Sequence, residues 1–432
     1  MSWKRLMTAI IMAVILACTP RIGWTQTLRM WTMLDPNGKD PREIALKKII
    51  GQFEAANPGV TITVEPQIWD QMTTKFLAAN QAGTAPDITW VNVPTLPQVV
   101  KAGALANLDD YFMKNWTARD VADLDDVFWQ FSFQGNGHYG IAHSRAYAGL
   151  IYRIDLLQQA GINPDQLRSW PGLIAAAKKL TVRDAAGNVT RWGLGQAYLI
   201  DKPIEPLAFS MILEAQKHLL DDQCRADWAN PVGLNAMTAQ LDMVREDKIT
   251  PPGAVSLNVE DLYDQFAAGR AAIIRGTSVR VPKMIGLLGA DKVGFTGTPS
   301  FAGDTFSPSG VGGWYVGAWS KGKYIALAAK FIEAMSSPQS DRIWSMEAGA
   351  APNRKSTVAE NATWFAEPAH AYLAAASKLI SGYSWLPPKN CAVYGWSEAL
   401  NGAAQAILTG GAEPAAALRR AAEQFDRQNR LQ

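Results

Sequence analysis

The chain has 432 residues, 48 % of them hydrophobic and 19 % charged, enough for two domains or one large bilobed one. The formal charge of +2 becomes −1 once residues 1–25, with Lys4, Arg5 and Arg21 and no acids, are set aside, so no excess of positive charge points to nucleic acid or an acidic membrane surface. Sixteen tryptophans stand out: most would fill a core, but their flat faces also suit the apolar C–H faces of sugar rings.

At the N-terminus Lys4 and Arg5 precede an apolar run, 6–17, too short to span a bilayer. Gly23-Trp24-Thr25 offers small residues at −3 and −1, so 1–25 reads as a signal peptide with export to the periplasm. Ile15-Leu16-Ala17-Cys18 is a lipobox-like alternative with Leu16 out of place, and would put a lipid anchor on Cys18. Cys224 and Cys391 remain, either bridged in an oxidising compartment or buried as free thiols. Neither they nor His138, His143, His218 and His370 show metal-ligand spacing.

Residues 28–33 (LRMWTM) form a first strand carrying Trp31, followed by a polar loop with Asp35 and Asn37. Asp40, Pro41 and Glu43 make a helix start with a capping box, and Ile44, Ile49, Ile50 and Phe53 are expected on one buried face. Val60, Ile62 and Val64 alternate as a second strand, and a helix over 69–82 begins with Trp69. In 83–108, a strand through Ile88, Trp90 and Val91 gives way to a turn and a short helix ended by Gly103. This is a βαβαβ order with a parallel sheet, and the loop after its last strand places Asn92 and Thr95 at a cleft.

The run FEAANPGVTITVEP, a helix, then Gly83-Thr84-Ala85-Pro86-Asp87, a short strand and a helix ending Gly-x-Leu-x-x-Leu resembles the bacterial extracellular solute-binding proteins of the maltose-binding type, the ligand-catching subunits of ABC importers. The resemblance continues in order to residue 428. Gly135 to Gly140 formally matches G-x-G-x-x-G, but an extended segment follows in place of a helix, so it is no nucleotide loop. That segment resembles the family's first crossover between lobes and places His143, Arg145 and Tyr147 at the cleft floor. Gln196 and Tyr198 follow a strand end. Gly269-Arg270-Ala271-Ala272 with Gly276 resembles a run whose next residues, here Thr277 and Ser278, line the family's pocket, with Arg275 as a polar clamp. SGVGGWYVGAW at 309–319 resembles the Gly-rich strand before the third crossover, with Gly313 and Trp314 at the ligand. Trp385, Tyr394 and Trp396 correspond to an aromatic platform. The acids near Phe128 and Trp129 (Asp123, Asp125, Asp126) read as helix caps and solvated faces.

The resemblance implies an α/β, two-lobed periplasmic binding protein fold (type II), with three hinge crossovers and a cleft between the lobes. The first lobe is expected over 26–141 with 299–317, the second over 142–298 with 318–432. The implied function is capture of a carbohydrate or polyol, without cofactor and as a monomer, for delivery to a membrane permease. An anionic ligand held by Arg145 or Arg275 is a second reading. A secreted carbohydrate-active enzyme is a third, for which the sequence offers no nameable acid pair, G-x-S-x-G, H-E-x-x-H or P-loop.

Overall fold

The computed structural model describes residues 25–124 and 126–430, so that the leader expected over 1–25 lies, apart from Thr25, outside the described residues. The first strands form as their patterns require. β1 (Gln26–Thr32) runs parallel to β2 (Val60–Pro66) and to β3 (Ile88–Asn92). Between them the helix Pro41–Ala56 starts on the expected capping box of Asp40 and Glu43. It buries Ala45, Leu46, Ile49, Ile50 and Phe53 and leaves Ile44 52 % exposed, so the apolar face lies one residue round from the one expected. Gly103 follows the helix Leu96–Lys101 in the left-handed region at φ 63°, as its place at the helix end requires.

β4 (Ile141–Arg153) is long enough to serve both lobes. Its first half pairs antiparallel with β9 (Ser309–Ala318), which itself pairs with β3. Its second half pairs with β7 (Ala271–Thr277) and β8 (Val293–Thr296). Beyond β7 lie β6 (Val189–Gly195) and the short β5 (Val182–Arg183), while β10 (Ser384–Trp385) pairs with the start of β9. The strand order β2-β1-β3-β9-β4-β7-β6-β5 is thus one curled sheet, and β4 and β9 are where one lobe becomes the other.

Three buried clusters report the same division. One packs Leu28, Met30, Leu46 and Trp344 on the first lobe, and one packs Leu173, Ile212, Trp228 and Phe425 on the second. The third, with Tyr147, Ile151, Ile274 and Tyr315, runs along β4 between them. The expected lobe boundary at 318 is corrected here. The helix Ile325–Met335 packs on the first lobe, with Phe331 4.9 Å from Phe53 between ring centroids. Burial of Phe331, Ile332 and Met335 there is worth roughly 1.5–3 kcal/mol each, which fixes the helix on that side. The chain returns to the second lobe later, and the helices Trp396–Gly410 and Pro414–Arg430 complete that lobe's core.

Cys224 and Cys391 are bridged, with Cα atoms 5.3 Å apart across 167 residues of chain. The bridge ties the segment leading to Trp396 onto the second lobe. No helix among the described residues is long and apolar enough to cross a membrane.

Candidate ligand-binding cleft

β4, β9 and β3 build the floor of a cleft of about 250 Å³ between the lobes. In the antiparallel register Trp314 stands opposite Asn92 on one side and Ser144 on the other. Gly312 faces Ala146, and Ala148 faces Thr277. Directly opposed residues share a face of the sheet. Asn92, Trp314, Ser144, Gly312, Ala146, Ala148 and Thr277 are therefore one continuous surface, and all of them line the cleft. Gly313 sits at φ 144°, and a Cβ there would lie 2.3 Å from the Ser144 carbonyl oxygen, so the close approach of β9 to β4 needs glycine.

The first lobe adds Met33, Arg42, Trp69 and Pro94, and the second adds Glu205, Glu260, Tyr263, Arg280, Tyr394, Trp396 and Glu398. Arg42 pairs with Asp40 at 3.1 Å, and this pairing holds the Asp40 carboxyl below its usual range against the opposing effect of burial, with Arg280 assisting from the other lobe. Arg280 pairs with Glu260 and lies over the Tyr263 ring, 5.5 Å from its centroid. The Tyr263 hydroxyl accepts from the Thr277 amide at 3.0 Å. Burial pushes the Glu398 carboxyl up, and the carboxylate of Glu205 pushes it the same way. Burial and then Glu398 push the Tyr394 phenol up.

Of the residues singled out in the sequence, Trp69, Asn92, Thr277, Gly313, Trp314, Tyr394 and Trp396 line this cleft. The others do not. The Trp31 indole donates to Glu65 at 2.7 Å. Asp35 accepts from the Asn37 amide at 2.9 Å in an exposed turn. The Thr95 hydroxyl turns back to the Asn92 carbonyl at 2.8 Å. Gln196 donates to the Thr250 hydroxyl at 3.2 Å, and Tyr198 lies in the second-lobe core. Ser278 accepts from the Tyr147 amide at 3.2 Å, and Trp385 packs edge-on to Phe209 and Trp396.

His143, Arg145 and Tyr147 alternate with Ser144, Ala146 and Ala148, so they point away from the cleft. His143 is buried between Trp90 and Trp344, and desolvation pushes it down to about 3, leaving it neutral. Arg145 lies over Phe128, 5.4 Å from its ring centroid, beside a small void behind the sheet. The Tyr147 hydroxyl donates to the Ser307 carbonyl at 3.2 Å, and burial pushes it up to about 12. Arg275 is 1 % exposed and acts as a staple: it donates to the Glu205 carbonyl at 3.2 Å, to Ser309 at 2.9 Å, and to Thr298 and Ser210. It holds the loop before Glu205 against β7 and β9 and offers nothing to a ligand. Arg42, Glu205, Glu260, Arg280 and Glu398 were not singled out. Arg42 and Glu398 stand in the first turns of the helices that follow the loop carrying Asp35 and Asn37 and the segment carrying Tyr394.

The family model for bacterial extracellular solute-binding proteins matches residues 39–342. The chain belongs to this family. Among curated relatives, a provisionally named binding protein of Brucella abortus (strain 2308) is 27 % identical over 225 residues, and the chain spans about half of that relative's length, 51 %. YcjN of Escherichia coli (strain K12), provisionally named as an ABC transporter periplasmic-binding protein, is 24 % identical over 75 % of this chain and 72 % of its own. Among solved structures, a solute-binding protein of an ABC transporter from Thermotoga lettingae, bound with α-D-tagatose, has a TM-score of 0.77 at 23 % identity, covering 93 % of this chain and 99 % of the other. The maltose-bound MalE3 of T. maritima has a TM-score of 0.76 at 20 % identity, over 93 % and 99 %. At these identities the likeness of the two solved structures is one of fold.

Proposed function

We propose that this protein is the ligand-capturing subunit of an ABC importer, taking a carbohydrate or polyol into the inter-lobe cleft and delivering it to a membrane permease. The observation that carries the reading is the cleft's construction. Trp69 from the first lobe, Trp314 from the floor and Trp396 from the second lobe bring aromatic surface from three sides, with polar groups from Asn92, Ser144, Thr277, Glu205, Glu260 and Glu398 between them. Aromatic faces cover the C–H faces of a sugar while the polar groups meet its hydroxyl rim. Buried hydroxyls left without partners are costly, so such a site discriminates between sugars that differ at one position. At about 250 Å³ the cleft falls just below the range of about 300–1,000 Å³ usual for drug-sized ligands, which favours a small ligand over a long polymer. Rotation of the lobes about β4 and β9 would close it, and the protein would work as a monomer until it meets the permease.

The anionic reading loses its footing, because Arg145 and Arg275 lie away from the cleft and Arg42 and Arg280 already have carboxylate partners. The test is a thermal-shift screen of the mature protein against mono- and oligosaccharides, polyols, sugar acids and sugar phosphates. A ligand that binds only the folded form adds about 2.7 kcal/mol of stability at one hundred times its dissociation constant. One sugar or polyol class should raise the melting temperature, be recovered unchanged, and lose its effect in Trp314→Ala. Protection by sugar acids or phosphates alone would contradict the proposal.

A further inference from the structure

The charges inside the cleft do not cancel, and the surplus is local. Its two arginines are taken, Arg42 by Asp40 and Arg280 by Glu260. Glu205 and Glu398 line the cleft together with Tyr394, whose hydroxyl feels both carboxylates and, from outside the lining, that of Asp70. Among the described residues none of the three meets a cation at ion-pair distance. Arg275 lies close enough to feel Glu205, but its guanidinium bonds to the Glu205 backbone carbonyl, not the carboxylate.

The Glu205 side chain has a built seat. A Cβ on Gly310 would lie 2.6 Å from Glu205 Oε1, so the glycine on β9 lets the carboxylate rest against the strand, and a larger residue there would push it aside. The surplus acids are not arranged for a metal, since no group of three His, Cys, Asp or Glu among the described residues could hold one. The other walls of this corner are the rings of Tyr394 and Trp396, 6.4 Å apart between centroids, with Trp69 also lining the cleft. Carboxylates and aromatic faces together are the chemistry that attracts an ammonium group. The first accept charge-assisted hydrogen bonds from it, and the second meet its charge with their negative faces. A sugar hydroxyl can donate to one carboxylate but leaves the excess negative charge in place, and an anionic sugar adds to it.

We propose that the Tyr394 corner of the cleft, with Glu205 and Glu398, selects a ligand carrying a protonated amine: an amino sugar or an amino polyol. This rests on the carbohydrate reading of the cleft and sharpens it. The test is titration calorimetry on the mature wild-type chain at pH 7 with matched hexoses of gluco, galacto and manno configuration, each as parent sugar, 2-amino sugar, N-acetyl derivative and uronate. Within the configuration that binds, the amine should bind at least about tenfold tighter than its parent and its N-acetyl form. That gain should collapse in Glu398→Gln and Glu205→Gln. It should also shrink in Gly310→Ala, which keeps every charge but displaces the Glu205 carboxylate. Melting temperatures without ligand, measured on all three variants, separate this from misfolding. A neutral parent sugar that binds as tightly as its amine overturns the proposal and leaves the carbohydrate cleft standing. No binding by any hexose, together with no protection by any sugar or polyol in the thermal-shift screen, overturns both.

Discussion

The two faces of β4 carry one strand's worth of sequence and have opposite jobs. On one face Ser144, Ala146 and Ala148 are small and, with Gly312 and Trp314 of β9, leave an open floor. On the other His143, Arg145 and Tyr147 are large and closed in by Trp90, Trp344, Phe128 and the Ser307 carbonyl. A ligand site here is made by what is missing from one face, and the polar chemistry on the other face serves the fold. Substitutions on the two faces should therefore separate stability from binding.

The largest effect is expected from Arg275, which belongs to the buried side. Arg275→Ala leaves Ser309, Thr298, Ser210 and the Glu205 carbonyl short of a donor. It should lower stability by about 3 kcal/mol in denaturant titration. The affinity of the folded fraction for its ligand should fall no further than it does in Glu205→Gln, because the guanidinium does not line the cleft and reaches it only through the Glu205 carbonyl. A loss of affinity far beyond that, with stability unchanged, would place Arg275 at the ligand.

A smaller effect is expected from His143. Folded His143 remains neutral down to about pH 3, while in the unfolded chain it takes up a proton near pH 6.5. Between these values the unfolded state binds more protons, so stability falls as the pH falls. By pH 5 the loss from this group amounts to about 2 kcal/mol. Denaturant titrations of wild type and His143→Gln at pH 7 and pH 5 should show the wild type losing more. Equal losses would mean that the imidazole is not held neutral between the two tryptophans.

These contrasts explain what the sequence could convey. The βαβαβ start, the capping box at Asp40 and the Gly103 helix stop were legible because each rests on local chemistry. The lobe membership of Ile325–Met335 was not, because an apolar face shows that a helix packs and not on which core. The cleft face of β4 was hidden for a related reason. Residues 143–151 are buried on both sides, so no polar–apolar alternation marks which side faces the ligand. The resemblance to a crossover segment placed His143, Arg145 and Tyr147 at the cleft floor without telling which face of the strand they occupy. The usable signal was the strip of small residues between them, answered by Gly312 on the neighbouring strand. Glu205 and Glu398 come from segments far apart in sequence, and nothing short of the fold brings them together around Tyr394.

The most direct measurement of whether a ligand rests on this floor is calorimetry with the sugar found in the screen, on wild type and Gly312→Leu. A Cβ at Gly312 meets only the Ala146 methyl at 3.5 Å, an ordinary contact, so the strand accepts a side chain there. That side chain would project into the cleft on the face shared by Ser144 and Trp314. Loss of binding by a hundredfold or more (about 2.7 kcal/mol), with the melting temperature of the unliganded protein unchanged, is the expected result. Undiminished binding in a folded Gly312→Leu protein would contradict the placing of the ligand between β4 and β9.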